Sequence, residues 1–399
     1  MKKVMAALLL LVFALGMLTG CQTPEPENKT LVVWTNMSVE ATTLQTLADA
    51  WGKEAGYTVQ VLHQSPSVQK FAQAVKSPEG PDAVIGIPND QLADYVNAGL
   101  AAQVPEDVYR DEDFCDAAVQ ACYVDGTRYA AALSVETITL FYNTDMVTSV
   151  PATWEELVAQ AQVAGGLQFD ATSIYYDLGF VRAFGGYIFR YENGAYDVTD
   201  IGLANEGAVK AYEFIYDLYA KYGLVSADVT ADIARSNFQN GKTAYYIGGP
   251  WDIDGFTSAG TPFAVAEMPT LSSQPFVTPV GTQVSFVSNQ SDDQKAAWEL
   301  IRYIQQNGAM ELYRSGDRIP ARLQDQQDPQ IQSNAHSQVF IAQIAHGEPM
   351  PTVSEMGQLW GIHVNNIRSM WKGELTPQQT AENIQRQLKE AVELMNSGK

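Results

Sequence analysis

Glu136 stands inside a long β-type run, Tyr129 to Tyr142 (YAAALSVETITLFY), among apolar or small neighbours. Two readings fit it: an acid on the solvent face of an alternating strand, or a carboxylate presented where two lobes meet. Such a carboxylate could accept hydrogen bonds from hydroxyls or supply half of an acid–base pair. No second acid in a comparable setting stands out, and the chain has no nucleophile elbow, phosphate loop or zinc motif. His63, His336, His346 and His363 are scattered, and none joins a cysteine at metal-ligand spacing. No metal and no other cofactor is therefore expected. Cys115 and Cys122 lie in FCDAAVQAC, which reads as a helix. A pair seven residues apart on a helix is separated by ~10.5 Å along the axis. That exceeds disulfide reach, so two buried thiols are favoured over a bridge that would break the helix. Gly248-Gly249-Pro250-Trp251 reads as a turn that displays a large indole.

The third cysteine, Cys21, has a different context. Met1-Lys2-Lys3 is basic, Val4 to Leu18 is almost wholly apolar, and Leu18-Thr19-Gly20 leads into the cysteine. Basic start, short apolar run and small residues before Cys follow the order of a bacterial lipoprotein signal. Residues 1–20 are thus expected to be cleaved and Cys21 acylated. Residues 21–30, polar and proline-bearing, would be a tether. Cleavage removes two lysines and leaves 22 basic against 46 acidic groups. That balance argues against nucleic acid, whose phosphates need clustered Lys and Arg. No later stretch is long and apolar enough to span a bilayer. The expected location is extracytoplasmic, held by lipid to the outer face of the membrane, or to the periplasmic side in a two-membrane cell.

The rest of the chain, with 46% hydrophobic residues, can bury a substantial core. Leu31–Trp34, Tyr57–Val61 and residues 81–86 read as strands, and residues 41–54 and 67–76 as helices between them. This alternation predicts a parallel sheet covered by helices, with ligands gathered beyond the carboxyl ends of the strands. Asn36 and the Pro88-Asn89-Asp90 loop fall at that rim. Farther on, Thr153 and Glu156 form a capping-box pattern. Residues 205–221, 229–240, 291–314, 354–372 and 376–398 read as helices.

Seven strings, in order, carry a resemblance: LVVWTN (31–36), GPDAVI (80–85), VETITLFYN (135–143), TWEEL (153–157), FGGYIFRYENGAYD (184–197), YYIGGPWDI (245–253), and GEPMP followed by QLWG ending at Gly361. Together they resemble the maltose/maltodextrin-binding proteins, extracytoplasmic receptors of ABC importers. The resemblance implies an α/β fold of two lobes, the type II periplasmic-binding-protein architecture, with a hinge the chain crosses more than once. Crossings are expected near 135–138, 277–282 and 332–336. The N-terminal lobe would comprise 31–136 plus 282–333, and the C-terminal lobe 137–281 plus 334–399. It also implies sugar contacts at Asn36, Glu136, Tyr175, Trp251, Met350 and Trp360, with Tyr176 in place of a neighbouring aromatic. The family's polar pairs in the first lobe are not matched: Ser38-Val39 and Asn89-Asp90 stand there instead, Ser173-Ile174 replaces a glutamate, and Gly86 a tryptophan.

These residue types suit a pyranose, which has a face of C–H bonds and a rim of hydroxyls. Flat aromatic rings match the face, and carboxylates and amides match the rim. Each neutral hydrogen bond nets only ~1 kcal/mol, so a closed, dry cleft with many contacts is required. The implied function is capture of a maltodextrin-type oligosaccharide between closing lobes and delivery to the permease subunits, by a monomeric receptor that is not an enzyme. Three alternatives stay open: a receptor for another oligosaccharide, a glycan-acting surface enzyme that uses Glu136, and a binder of peptides, polyamines or metal.

Overall fold

The computed structural model describes residues 29–397, apart from residues 66, 78, 107, 193, 194 and 227. The signal segment and Cys21 lie outside the described residues, as does most of the tether. Two sheets organise the chain. The first runs in the order Ile319–Pro320, Ala131–Glu136, Pro279–Val287, Ala83–Pro88, Lys29–Thr35, Tyr57–His63, with Glu348–Pro349 beside Pro279 and Val280. Its strands from residues 29, 57 and 83 are parallel, while Pro279–Val287 is antiparallel to both of its long neighbours. The second sheet orders Phe263–Ala266, Thr139–Asn143, Tyr245–Gly248 and Leu167–Gln168.

The long β-type run is thus two strands in two different sheets, joined at Thr137–Ile138. The chain returns between Ala266 and Pro279, and leaves again around Asn334. Thr137 and Thr278 are fully buried at the first two passages, and the Thr137 hydroxyl lies 2.7 Å from both the Thr278 hydroxyl and the Pro279 carbonyl.

The local signals act largely as their chemistry requires. Helix Ala41–Ala55 buries Leu44, Leu47, Ala48 and Trp51 on one stripe and ends at Gly56, in the left-handed conformation that glycine adopts freely. Helix Trp154–Ala164 is capped by the Thr153 hydroxyl, which accepts from the Glu156 N–H. Glu156 reaches back to the Ala152 N–H rather than to Thr153, so only half of the expected box forms. The third strand is Ala83–Pro88, two residues later than expected. Asp82 instead accepts hydrogen bonds from the Val32 N–H and the Ser291 hydroxyl, which holds it short of the ladder. Gly86 has φ +75°, and a Cβ there would land on the Met37 side chain. The expected 291–314 helix is two, Gln294–Asn307 and Ala309–Gly316, broken at Gly308 where a Cβ would press on Leu47. The cysteine segment keeps only a short helix, Asp116–Gln120. Both thiols are unbridged; Cys122 is buried and Cys115 half-buried, and burial pushes both thiols up in pKa.

Three apolar clusters result. One packs helices Ile174–Ala183, Glu206–Ala220, Met356–Trp371 and Pro377–Ser397 around the second sheet. Another follows one face of the first sheet and continues into Phe141, Phe238, Tyr246 and Phe256 of the second sheet's other face. The third covers the remaining face of the first sheet with helices Ala41–Ala55 and Gln294–Asn307.

Asn89 lines the cleft and also bolts this framework together. It is 1% exposed. Its amide donates to the Met350 carbonyl at 3.0 Å and the Thr352 hydroxyl at 2.9 Å, and its carbonyl accepts from the Thr282 N–H at 3.1 Å. The side chain's hydrogen-bonding capacity is spent on two chain segments that pass beside it. Asn89→Ala strands a buried N–H and a buried C=O, each worth about 1–3 kcal/mol when left unpaired. The expected outcome is a stability loss of roughly 2–4 kcal/mol on that basis, read as a lower urea midpoint at unchanged slope.

Candidate functional site

The carboxyl ends of the first sheet's strands face the aromatic end of the second sheet's lobe across a cleft of about 510 Å³. That lies within the usual range for a small-molecule site. One wall comes from the first sheet: Pro88 to Gln91, Glu136, Gly281, Gln283 and Arg318. The opposite wall holds Tyr175, Trp251 and Trp360, with Met350 at the boundary.

Each side chain is presented by a specific local device. Asp90 sits in the single turn Asn89–Gln91 that follows strand Ala83–Pro88. Glu136 ends its strand opposite Gly281, which has no side chain to crowd it. Gln283, two residues along the same strand, donates to one Glu136 oxygen at 3.0 Å. Arg318 donates to the other at 2.5 Å and to Glu40 at 2.5 Å. Tyr175 is the second residue of helix Ile174–Ala183, whose start is capped by Ser173; Ile174 is fully buried behind it.

Trp251 rides on the turn Pro250–Asp252. Asp252, 1% exposed, anchors that turn by accepting from the Tyr246 hydroxyl at 2.8 Å, Arg235 at 2.5 Å and the Gly249 N–H at 3.3 Å. A Cβ on Gly249 would enter the indole, so the glycine lets the ring lie against the backbone. The Tyr175 and Trp251 rings are 6.4 Å apart and inclined by 49°, two facets of one curved surface. Trp360 projects from helix Met356–Trp371, which packs against the Asn89–Gln91 turn. Met350, 3% exposed, donates its N–H to the Val280 carbonyl.

The electrostatics are acidic with one cation. Burial pushes the Asp90 carboxyl up to about 6, partly opposed by a hydrogen bond from Trp360. Burial also drives the Tyr175 hydroxyl well up, with Glu136 adding to it, so it remains a neutral donor. Among the described residues, no group of three or more His, Cys, Asp or Glu side chains is placed to hold a metal ion, and no helix is long and apolar enough to cross a membrane.

Of the nine residues singled out from sequence, seven line the cleft: Asn89, Asp90, Glu136, Tyr175, Trp251, Met350 and Trp360. Asn89 contributes to the wall but, as described, its amide is committed inward. Tyr176 belongs to the core: it is 8% exposed and packs near Phe169, edge-on to Tyr175. Successive helical residues diverge by about 100°, so only one of the two tyrosines can face the cleft. Asn36 follows the first strand half-buried and is not among the lining residues. Sequence reasoning missed Gln91, Gly281, Gln283 and Arg318. Gln283 does leave a trace, as a polar residue within the otherwise apolar PVGTQVSFV strand.

A larger crevice of about 590 Å³ lies beyond the segment from Pro349 to Glu355 and takes in Tyr123, Tyr196 and Pro349. Met350, the next residue, belongs to the cleft already described, so this segment partitions the two spaces. The indoles and the Glu136–Arg318 pair converge only in the first.

The geometry has close counterparts in known proteins. The chain resembles the galactooligosaccharide-binding protein of Bacillus subtilis, with 29% identity over 92% of this chain and 91% of the relative. It resembles the maltodextrin-binding protein MdxE of the same organism at 24% identity over 98% of each. Among solved structures, it superimposes on the maltose-maltodextrin binding protein of Alicyclobacillus acidocaldarius with a TM-score of 0.84, 30% identity, and coverage of 90% of this chain and 100% of that one. It matches a cyclo/maltodextrin-binding protein complexed with maltotetraose with a TM-score of 0.83 at 27% identity, over 92% of this chain and 98% of that one. The two-lobed binding-protein fold expected from the ordered strings is therefore the fold of this chain. With residues 46–339 matched by the family model, the chain belongs to the bacterial extracellular solute-binding proteins.

Proposed function

We propose that this chain is the receptor of an ABC importer that captures a neutral oligosaccharide of the maltodextrin class between closing lobes and releases it to the permease. The observation that carries this reading is the opposition, across one cleft, of Trp251, Trp360 and Tyr175 to Glu136, Asp90, Gln283 and Arg318. Aromatic faces take the C–H side of a pyranose, and the opposite wall takes its hydroxyls. The lobes are 31–136 plus 282–333 and 137–281 plus 334–399. Bridging contacts favour the closed arrangement because only there do both walls touch one ligand. The cleft binds without reacting: Glu136 is held by Arg318 and Gln283, and the other acids at the site are placed as acceptors. The receptor is a monomer, tethered through an acylated Cys21 on the outer side of the membrane, which keeps it near its permease.

A second reading, a receptor for galactooligosaccharides, is favoured by a specific observation. A relative named for that ligand matches along nearly the whole chain, and Asn89-Asp90 and Ser38-Val39 depart from the maltodextrin pattern in the first lobe. Calorimetry of the body from residue 22 onward with linear α-1,4-glucans and with β-1,4-galactooligosaccharides separates the two. Heat from the first series alone supports maltodextrin, and heat from the second alone supports the alternative. Silence from both refutes the oligosaccharide reading.

Trp251→Ala and Trp360→Ala each remove an indole face, worth roughly 1–3 kcal/mol of stacking and burial. Each is expected to weaken saccharide binding at least tenfold with little change in melting temperature, since both rings are partly exposed. The Asp90 carboxyl gives a pH signature. Raised to about 6 in the free protein, it favours the protonated folded state. Its contribution to folding stability is full below the ordinary carboxyl value and is lost as pH rises through about 6. Saccharide hydroxyls bind the ionised form better, so affinity should fall roughly three- to tenfold between pH 7.5 and 5. Asp90→Asn should flatten that profile in a calorimetric pH series.

A further inference from the structure

We propose that Arg318 is a specificity-determining residue of the cleft: it fixes the Glu136 carboxylate toward the ligand and donates its own free N–H groups to the neighbouring hydroxyl. This rests on the oligosaccharide reading and assigns a residue that the sequence patterns did not single out.

Arg318 immediately precedes strand Ile319–Pro320, whose Ile319 is paired antiparallel with Val135. That register puts Arg318 beside Glu136 at the end of the neighbouring strand. The guanidinium bridges two acids from different elements, donating Nη1–H to Glu136 Oε2 and Nε–H to Glu40 Oε1, both at 2.5 Å. Glu40 is 1% exposed, and its second oxygen has no partner among the described residues. Gly316, two residues before Arg318, lies so close to the Glu40 carboxylate that a Cβ would strike it. The fold has thus made room for a buried acid that holds Arg318 from behind.

Arg318 itself lines the cleft, with 16% of its side chain exposed. A guanidinium has five N–H groups, and two are used on the carboxylates. Arg318 is the only basic side chain among the residues lining the cleft. Glu136 has one oxygen held by Arg318 and the other by Gln283, so its orientation is set from both sides before any ligand arrives. A fixed acceptor beside a fixed donor matches two adjacent hydroxyls of a pyranose, and preorganised donors lose less on binding than mobile ones.

The test is calorimetry with maltotetraose and β-1,4-galactotriose at pH 8 and pH 5 on the wild type, Arg318→Lys, Arg318→Met, and Arg318→Met combined with Glu136→Gln. The charged or titratable groups facing this point are Glu40, Glu136, Asp90 and Tyr175. Asp90 is coupled to Glu136, so the wild type and Arg318→Met are also compared in an Asp90→Asn background, which removes its share of the pH dependence. Arg318→Met is expected to bind at least tenfold more weakly at pH 8. Its deficit should grow at least a further threefold at pH 5, because two facing carboxylates without a cation favour uptake of a proton. Arg318→Lys should recover part of the loss, and the double variant should lose the added pH dependence. Binding by Arg318→Met within twofold of wild type, or a deficit that is the same at both pH values, overturns the proposal. Ligand-free melting gives a second measure. The melting deficit of Arg318→Met should shrink as pH falls, the opposite sign to its binding deficit. If neither saccharide binds wild type, the receptor reading fails on its own, and a melting deficit independent of pH then overturns the clamp as well.

Discussion

Backbone passing between two sheets has to satisfy its own hydrogen bonds, and that requirement places nearly every residue of the cleft. Where the chain goes from Glu136 to Thr139 and returns at Thr278–Pro279, neither sheet ladder is complete. The gap is closed by Thr137 with Thr278 and Pro279, by the Glu348 N–H on the Thr278 carbonyl, and by the Met350 N–H on the Val280 carbonyl. Asn89 joins the third segment to the second. Buried amides left unpaired cost more than most contacts return, so these segments cannot slide independently. Glu136, Gly281 and Met350 acquire fixed positions because their backbones are part of this junction.

The aromatic wall is braced by different means. Tyr175 and Trp360 sit on two helices that also carry Asp177 and His363, both fully buried and 3.7 Å apart at their nearest atoms. His363 donates Nδ1–H to the Thr172 carbonyl at 2.9 Å. Burial pushes His363 down to about 4 and drives Asp177 well up, so both are neutral and no charge is buried behind the platform. Asp252 does the equivalent work for Trp251, where Arg235 offsets the burial of its carboxylate. The rings are thereby set by polar groups that do not line the cleft. Ring faces are left to make contact while their rotamers are held by the core.

Much of this was legible along the chain because the signals are local. Helical stripes such as Leu44–Leu47–Ala48–Trp51, the Thr153 cap and the Gly248-Gly249-Pro250-Trp251 turn each encode their own geometry within a few residues. The ordered strings pointed to two lobes and to most of the aromatic wall. The misreadings share a physical origin in long-range pairing. Asn89 reads only as a polar rim residue, and its second role as a bolt depends on Thr282 and Met350, some 190 and 260 positions away. Tyr175 and Tyr176 are equivalent in composition, and only the packing of helix Ile174–Ala183 against Phe169 decides which one turns inward. Arg318 in GDRIP carries no local mark, because its meaning depends on Glu40 and Glu136, each on a distant element.

The charge balance of the cleft completes the selection that the rings begin. The wall presents two carboxylates, Glu136 and Asp90, and one guanidinium that is also paired with Glu40 behind it, so at neutral pH it carries surplus negative charge. A carboxylate or phosphate on a ligand about 5 Å from one unneutralised acid meets a repulsion of about 3 kcal/mol at an effective dielectric near 20. That cancels roughly three neutral hydrogen bonds at ~1 kcal/mol each. Ring stacking would be unaffected, yet affinity would fall by about two orders of magnitude, since every 1.4 kcal/mol is tenfold. Uncharged hydroxyls meet no such opposition, and they find acceptors in abundance beside the Arg318 and Tyr175 donors. On the proposed reading, the indoles favour any pyranose with an exposed C–H face, whereas the acids confine the choice to neutral ones, and the two filters act on different atoms of the same sugar.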